Sequence, residues 1–267
     1  MANSRERVAV VTGAARGNGK AIAKRLAQEG HTVYIADIAK NIPELPYALA
    51  TEQELQATVE ELRQDHVEVY PLVMDVRDAS QVQTGFAEVE RNHGQVGILV
   101  NNAGVLVLNP TPEVSEAEWQ LQQDVIVKGA FLCARAVLPG MNTQKWGRII
   151  NVSSVAGHRA IGMGAAYTAA KHGLIGLTRA LAMEVARQNV TVNAVCPGTV
   201  PTALTHSAGQ LQGLEMGENF FGFSDRHMTG QTIQSEDVAN AVAWLASEEA
   251  ERVNGTSLFV DDGWHAH

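Results

Sequence analysis

In the stretch AAYTAAKHG, residues 165–173, Tyr167 and Lys171 stand four apart among small residues. Side chains at that spacing lie one above the other on a helix. A free tyrosine ionises near pH 10, too high for a base at neutrality. An adjacent cation favours the phenolate. Lowering the value by roughly 3 units takes about 4 kcal/mol of differential interaction. A partly desolvated Lys171 is the group in place to supply it. Tyr167 would then take a proton from an alcohol, or return one to a developing alkoxide. Ser154, thirteen residues earlier in NVSSVAG, offers a hydroxyl that would hydrogen-bond the same oxygen. Alanines at 165, 166, 169 and 170 let the helix approach a ligand closely. Read alone, the pair is equally an ordinary i,i+4 contact on an amphipathic helix.

Those side chains need a frame. Short β-branched runs recur: VAVVT from 8, TVYIAD from 32, VEVYPLVMD from 67, VGILVNN from 96, GRIINVS from 147, VTVNAVC from 190 and SLFVD from 257. Helical periodicity covers 19–29, 52–64, 79–93, 115–138, 166–187 and 235–247. Apolar strands alternating with helices predict an α/β fold: a doubly wound, Rossmann-type sheet of seven parallel strands with helices on both faces. One domain is expected over 1–267. Two stretches break the rhythm, the proline-rich 38–51 and the glycine-rich, polar 203–234. Loops of that length are usually functional. The second reads as a substrate lid at about 203–230, carrying Met216, Phe220, Phe221 and Phe223.

The first strand runs into TGAARGNG, and a helix follows. In that context Gly13, Gly17 and Gly19 let the backbone approach a pyrophosphate at a helix N-terminus. Asp37 ends the second strand, where a carboxylate would hold ribose hydroxyls and repel a 2′-phosphate. NAD is therefore favoured over NADP, although Arg16 in the glycine loop is able to meet a 2′-phosphate. Asp75 and Val76, ending the third strand, are candidates for the adenine; MDVRD also reads as the start of a helix cap. In NNAG, Asn101 reads as structural, whereas Asn102, Ala103 and Gly104 pass along the cofactor. All these groups fall at strand C-termini, where open α/β sheets bind ligands.

TGAARGNG, NNAG, the serine pair before YTAAK, and PGTVPT resemble together the short-chain dehydrogenase/reductase family, from Val8 to Gly263. The resemblance implies an NAD(H)-dependent oxidoreductase interconverting a secondary alcohol and a ketone. It implies Ser154, Tyr167 and Lys171 as the catalytic residues, with Lys171 also holding the nicotinamide ribose. Pro197, Gly198, Val200 and Thr202 match the segment touching nicotinamide and phosphates, and Arg16, Asn18 and Ile38 complete the cofactor set. A homotetramer built on the helices 115–138 and 166–187 is implied too. Two departures stand out. The family usually carries an asparagine, which helps hold a water in the lysine's proton path, where DVIVKG here has Ile126. An NAD-binding regulatory or scaffolding protein with weak catalysis is therefore the rival reading, and dehydration or epimerisation is a third. The insertion IAKNIPELPYALATEQEL is similar to one in a carveol-dehydrogenase-like, mycofactocin-associated subset, where it covers an NAD that does not exchange.

The net charge of 20 − 29 = −9 argues against nucleic acid as a partner. Scattered basic residues and the lack of a long apolar run argue against a membrane. Cys133 and Cys196 lack metal-ligand spacing and read as buried thiols of a cytoplasmic protein. No metal is expected; the two terminal histidines read as solvated. Trp264 is expected against a neighbouring subunit. The expected partner is a small alcohol or ketone.

Overall fold

The computed structural model describes residues 6–205 and 227–266. The lid aromatics Phe220, Phe221 and Phe223, with Met216, lie outside the described residues. Seven parallel strands form one sheet: β1 (Val8–Thr12), β2 (Thr32–Asp37), β3 (Val69–Val73), β4 (Val96–Asn101), β5 (Gly147–Val152), β6 (Val190–Pro197) and β7 (Ser257–Val260). Their order is β3-β2-β1-β4-β5-β6-β7. The order reverses between β1 and β4, and such a reversal opens a crevice at the carboxyl ends of the strands.

Helices α1 (Gly17–Gln28), α2 (Glu52–Arg63), α3 (Ala79–His93), α4 (Glu116–Gln123), α5 (Gly129–Gln144), α6 (Ala165–Val185) and α7 (Ser235–Ala246) cover the sheet. One apolar core gathers Ile22 and Leu26 of α1, Leu55 and Val59 of α2, and Val238 and Val242 of α7. The other gathers Phe86 of α3, Leu121 of α4, Val137 of α5 and Leu181 of α6. Strands β1, β2, β4, β5 and β6 are buried along their whole length, which is why they read as continuous apolar runs.

Local chemistry sets the helix starts. Thr51 and Glu54 form a reciprocal capping box on α2, and Ser115 and Glu118 do so on α4. Asp78 caps α3 through the Ser80 and Gln81 amides, at 2.8 and 3.1 Å. The α1 terminus has neither a side-chain cap nor an acidic residue in its first turn, so its amides face the crevice unclaimed by side chains.

The helix expected over 115–138 is not uniform. Between α4 and α5, Asp124–Lys128 widens into a π turn. Val125, Ile126 and Val127 are three β-branched residues in succession, which crowd the preceding helical turn. Among the described residues no helix is long and apolar enough to cross a membrane.

Candidate functional site

The crevice is a cleft of about 220 Å³. It is lined by Gly13, Arg16, Gly17, Asn18, Asp37, Ile38, Asp75, Val76, Asn102, Ala103, Gly104, Ser154, Tyr167, Lys171, Pro197, Gly198, Val200 and Thr202. Gly19 stands behind it. A Cβ at Gly19 would lie 2.4 Å from the Gly13 carbonyl oxygen and 2.7 Å from Ala14 Cα. Its task is close packing of α1 on the turn, rather than ligand contact. Gly13 holds φ at +63°, a left-handed backbone that glycine adopts without strain.

Asn102 supports the turn too. Its Nδ2 donates to the carbonyls of Thr12 and Gly13, at 3.0 and 2.9 Å. Asn101 donates to Asn151 at 2.9 Å, and Asn151 to Thr178 of α6, also at 2.9 Å. The strand ends beneath the cleft and the helix carrying Tyr167 are thereby cross-tied.

At the nucleotide end, the Asp37 carboxylate accepts from the amides of Ala15 and Ala39, at 3.1 and 3.2 Å. Burial nevertheless pushes its pKa up, against those hydrogen bonds. The Arg16 charge acts on that carboxylate to lower its pKa, and Arg16 Nη2 donates to the Ala48 carbonyl of the insertion at 2.8 Å. Asp75 is committed to Arg77, whose Nη2 stands 2.7 Å from it. Burial raises the Asp75 pKa, but the Arg77 hydrogen bonds and charge outweigh it and hold the carboxyl below its ordinary value. The MDVRD segment therefore serves both readings: Asp75 and Val76 line the cleft, and Asp78 caps α3.

At the other end, Lys171 is 4% exposed and its Nζ donates to the Val152 carbonyl at 2.8 Å. That Nζ lies 5.5 Å from the Tyr167 ring centroid. Ser154 accepts from the Ala156 amide at 3.1 Å and hydrogen-bonds the Tyr167 phenol. The expected electrostatics need correction in the chain by itself. Burial pushes Tyr167 up to about 12, with the Ser154 hydrogen bond pulling the other way. Burial also pushes Lys171 down to about 8. The ammonium is tied to Val152 and desolvated, so burial outweighs its pull on the phenol.

Ile126, 2% exposed, packs with Ala130, Ala170 and Leu174, and Tyr167 leans on the same cluster. Trp264 corrects another expectation. It is 4% exposed and packs inside its own chain with Leu106, Leu108, Val155 and Tyr167. The tail reaches that place because Asp261 accepts from His265, whose carbonyl takes Arg159 Nη2 at 2.8 Å. Arg159 thus holds the tail. Cys133 and Cys196 are free and buried. Among the described residues no group of side chains is built for a metal. Of the terminal histidines, His265 pairs with Asp261 and His267 lies outside the described residues.

Sequence reasoning missed Ile42, Tyr47, Leu49 and Ala50, four cleft-lining residues of the insertion. The available signal was the length of that segment, which marked it as functional without marking a residue. Ala203, Leu204 and Thr205 line the cleft where the expected lid begins.

The fold and this constellation define a nucleotide-binding α/β enzyme, and comparison with known proteins agrees. A family model described as enoyl-(acyl carrier protein) reductase matches residues 13–265. The chain belongs to the short-chain dehydrogenase/reductase family of oxidoreductases. It is similar to 3-oxoacyl-(acyl-carrier-protein) reductase FabG of Staphylococcus aureus, 35% identical over 257 residues, covering 96% of this chain and 97% of the relative. The structure of carveol dehydrogenase from Mycobacterium avium in complex with NAD superposes with a TM-score of 0.92 at 32% identity, covering 98% of both chains. A variant of actinorhodin polyketide ketoreductase with NADPH gives a TM-score of 0.89 at 34% identity over 100% of both.

Proposed function

We propose that the chain interconverts an apolar secondary alcohol and its ketone with NAD(H). The observation that carries this reading is the convergence of Ser154, Tyr167 and Lys171 at one end of a cleft whose other end is a glycine turn, an unblocked helix terminus and Asp37. The residues fit a dinucleotide. The α1 amides would take the pyrophosphate, and Asp37 the adenosine ribose. The Asp37 carboxylate, which would repel a 2′-phosphate, supports NAD over NADP. Ile42, Tyr47, Leu49 and Ala50 would wall the cofactor in, in keeping with an NAD that stays bound.

The dinucleotide, when bound, gives or accepts the hydride. Ser154 would donate a hydrogen bond to the substrate oxygen and fix its place. Tyr167 would protonate that oxygen during reduction, or take its proton during oxidation. Lys171 would hold the nicotinamide ribose and add positive charge near the phenol. Val105, Val152, Ala203 and Leu204 add apolar lining to the cleft that holds Tyr167, which favours an apolar substrate. Met183, at 85% exposed, and the half-exposed Trp119 and Phe131 leave apolar surface on α4–α6 for assembly, in keeping with a homotetramer.

The test is purified protein, freed of any dinucleotide it carries, assayed for NADH and NADPH binding, then for NADH oxidation with a panel of apolar ketones. NADH binding with turnover of at least one ketone is expected. Tight NADH binding with no turnover across the panel would favour the regulatory reading, which the apolar packing of Ile126 motivates. Tight NADPH binding without NADH binding would overturn the cofactor assignment.

A further inference from the structure

We propose that Tyr47, carried by the insertion, is a ligand-contacting residue of the cleft that donates a hydrogen bond to an acceptor oxygen of the bound molecule. The proposal rests on the cleft reading above and adds a polar group to it.

Tyr47 lines the cleft, and its ring packs on the core cluster that includes Val105 and Val107. Its Oη accepts from the Leu106 amide at 3.0 Å. Among the described residues that is the one hydrogen bond at this oxygen. A phenol that accepts one bond still has one proton to place. A ligand that displaces water from the cleft leaves that proton unpaired at a cost in free energy unless it offers an oxygen there. The bond from Leu106 orients the hydroxyl, so little freedom remains to be lost on binding.

The location is toward the chemistry. Leu106 lies two residues beyond Gly104, and a Cβ on Gly104 would be 3.9 Å from Lys171 Nζ. An ionised Tyr167 would raise the Tyr47 pKa, and both phenols line the same cleft. Burial pushes Tyr47 up to about 12, so it stays a donor near neutrality and does not compete as a base. The other fixed point of the insertion, Arg16 on Ala48, sits at the glycine loop. The two contacts hold neighbouring residues of the insertion, Ala48 to the glycine loop and Tyr47 to the segment after β4. The acceptor is a carbonyl or hydroxyl oxygen, either the nicotinamide carboxamide or the substrate oxygen.

The test is Tyr47→Phe in the full chain, which keeps the ring. NADH affinity is read from nicotinamide fluorescence without substrate. Affinity for the ketone derived from carveol is then read on the NADH complex, and amide hydrogen exchange is followed across residues 104–108. Loss of one neutral hydrogen bond predicts about threefold to tenfold weaker binding in one arm. A weaker NADH arm names the carboxamide, and a weaker ketone arm names the substrate oxygen. NADH affinity within about twofold of the parent, with ketone binding unchanged or absent, overturns the proposal. So do equal losses in both arms with faster exchange at 104–108, since those mark a loop tie alone. If the parent, freed of any dinucleotide it carries, binds no NADH, the cleft reading fails first.

Discussion

Ile126→Asn restores the residue type usual in the family, and here it should harm the protein. Ile126 is 2% exposed within Ala130, Ala170, Leu174 and the Tyr167 ring. Burial of such a side chain is worth about 1.5–3 kcal/mol. An amide placed there without partners costs about 1–3 kcal/mol more. The sum is about 4 kcal/mol, close to the upper range for a single substitution. At about 2–4 °C per kcal/mol for a chain of this size, the melting temperature should fall by roughly 10 °C. Ile126→Val, which removes one methyl group, should cost only about 0.5–1.5 kcal/mol. Thermal melts followed by circular dichroism, with kcat on the best ketone of the panel, give the comparison. Turnover should not rise in the asparagine variant. A melting temperature within about 2 °C of the parent, together with faster turnover, would refute the reasoning. That result would mean the wide turn at Asp124–Lys128 offers the amide partners.

Tyr167→Phe should bind NADH as the parent does and lose about 10²- to 10⁴-fold in kcat, read in the ketone assay. Gly19→Ala puts a Cβ 2.4 Å from the Gly13 carbonyl oxygen, and the turn must move. The strain of about 1–3 kcal/mol should appear as roughly tenfold or greater loss of NADH affinity by fluorescence titration. Lys171 stands at about 8, so its charge is present below that pH and lost above it. For reduction, kcat/KM should be level below pH 8 and fall about tenfold per unit above it. Lys171→Met should be slow and level across the same range.

The frame was legible because five of the seven strands are buried on both faces and the helices bury one face. β1 and β2 fall where their β-branched runs stand, and α3 matches its expected span from 79 to 93. The glycine turn and the strand-end motifs were legible for a related reason, since topology brings strand C-termini to one edge. Three features were not. Tyr47 sits in a segment without periodicity, and its place depends on one bond to Leu106, fifty-nine positions away. Trp264 packs where the tail folds back through Asp261 and His265, and apolar character alone does not say which surface it meets. The side-chain partners of Asn102 and Asp75 were equally hidden, because a polar residue at a strand end serves a ligand or the fold with the same letter.

The electrostatics of the pair were the least legible, and they set a direction. Spacing says that Lys171 is near Tyr167; it does not say how much water both have lost. In the folded chain burial moves each group toward its neutral form, the phenol to about 12 and the amine to about 8. A neutral phenol is the form that protonates a developing alkoxide, so reduction needs no prior ionisation of Tyr167. Oxidation needs the phenolate, of which a group at about 12 holds only about one part in 10⁵ at pH 7. The two directions should therefore respond differently to pH. Alcohol oxidation should accelerate about tenfold per unit from pH 6 to 8, and then bend as Lys171 gives up its proton. Reduction should stay level over that interval. Initial rates in both directions across pH 6–10, at saturating nicotinamide, measure this. Parallel profiles would show that burial does not govern the phenol in the working complex.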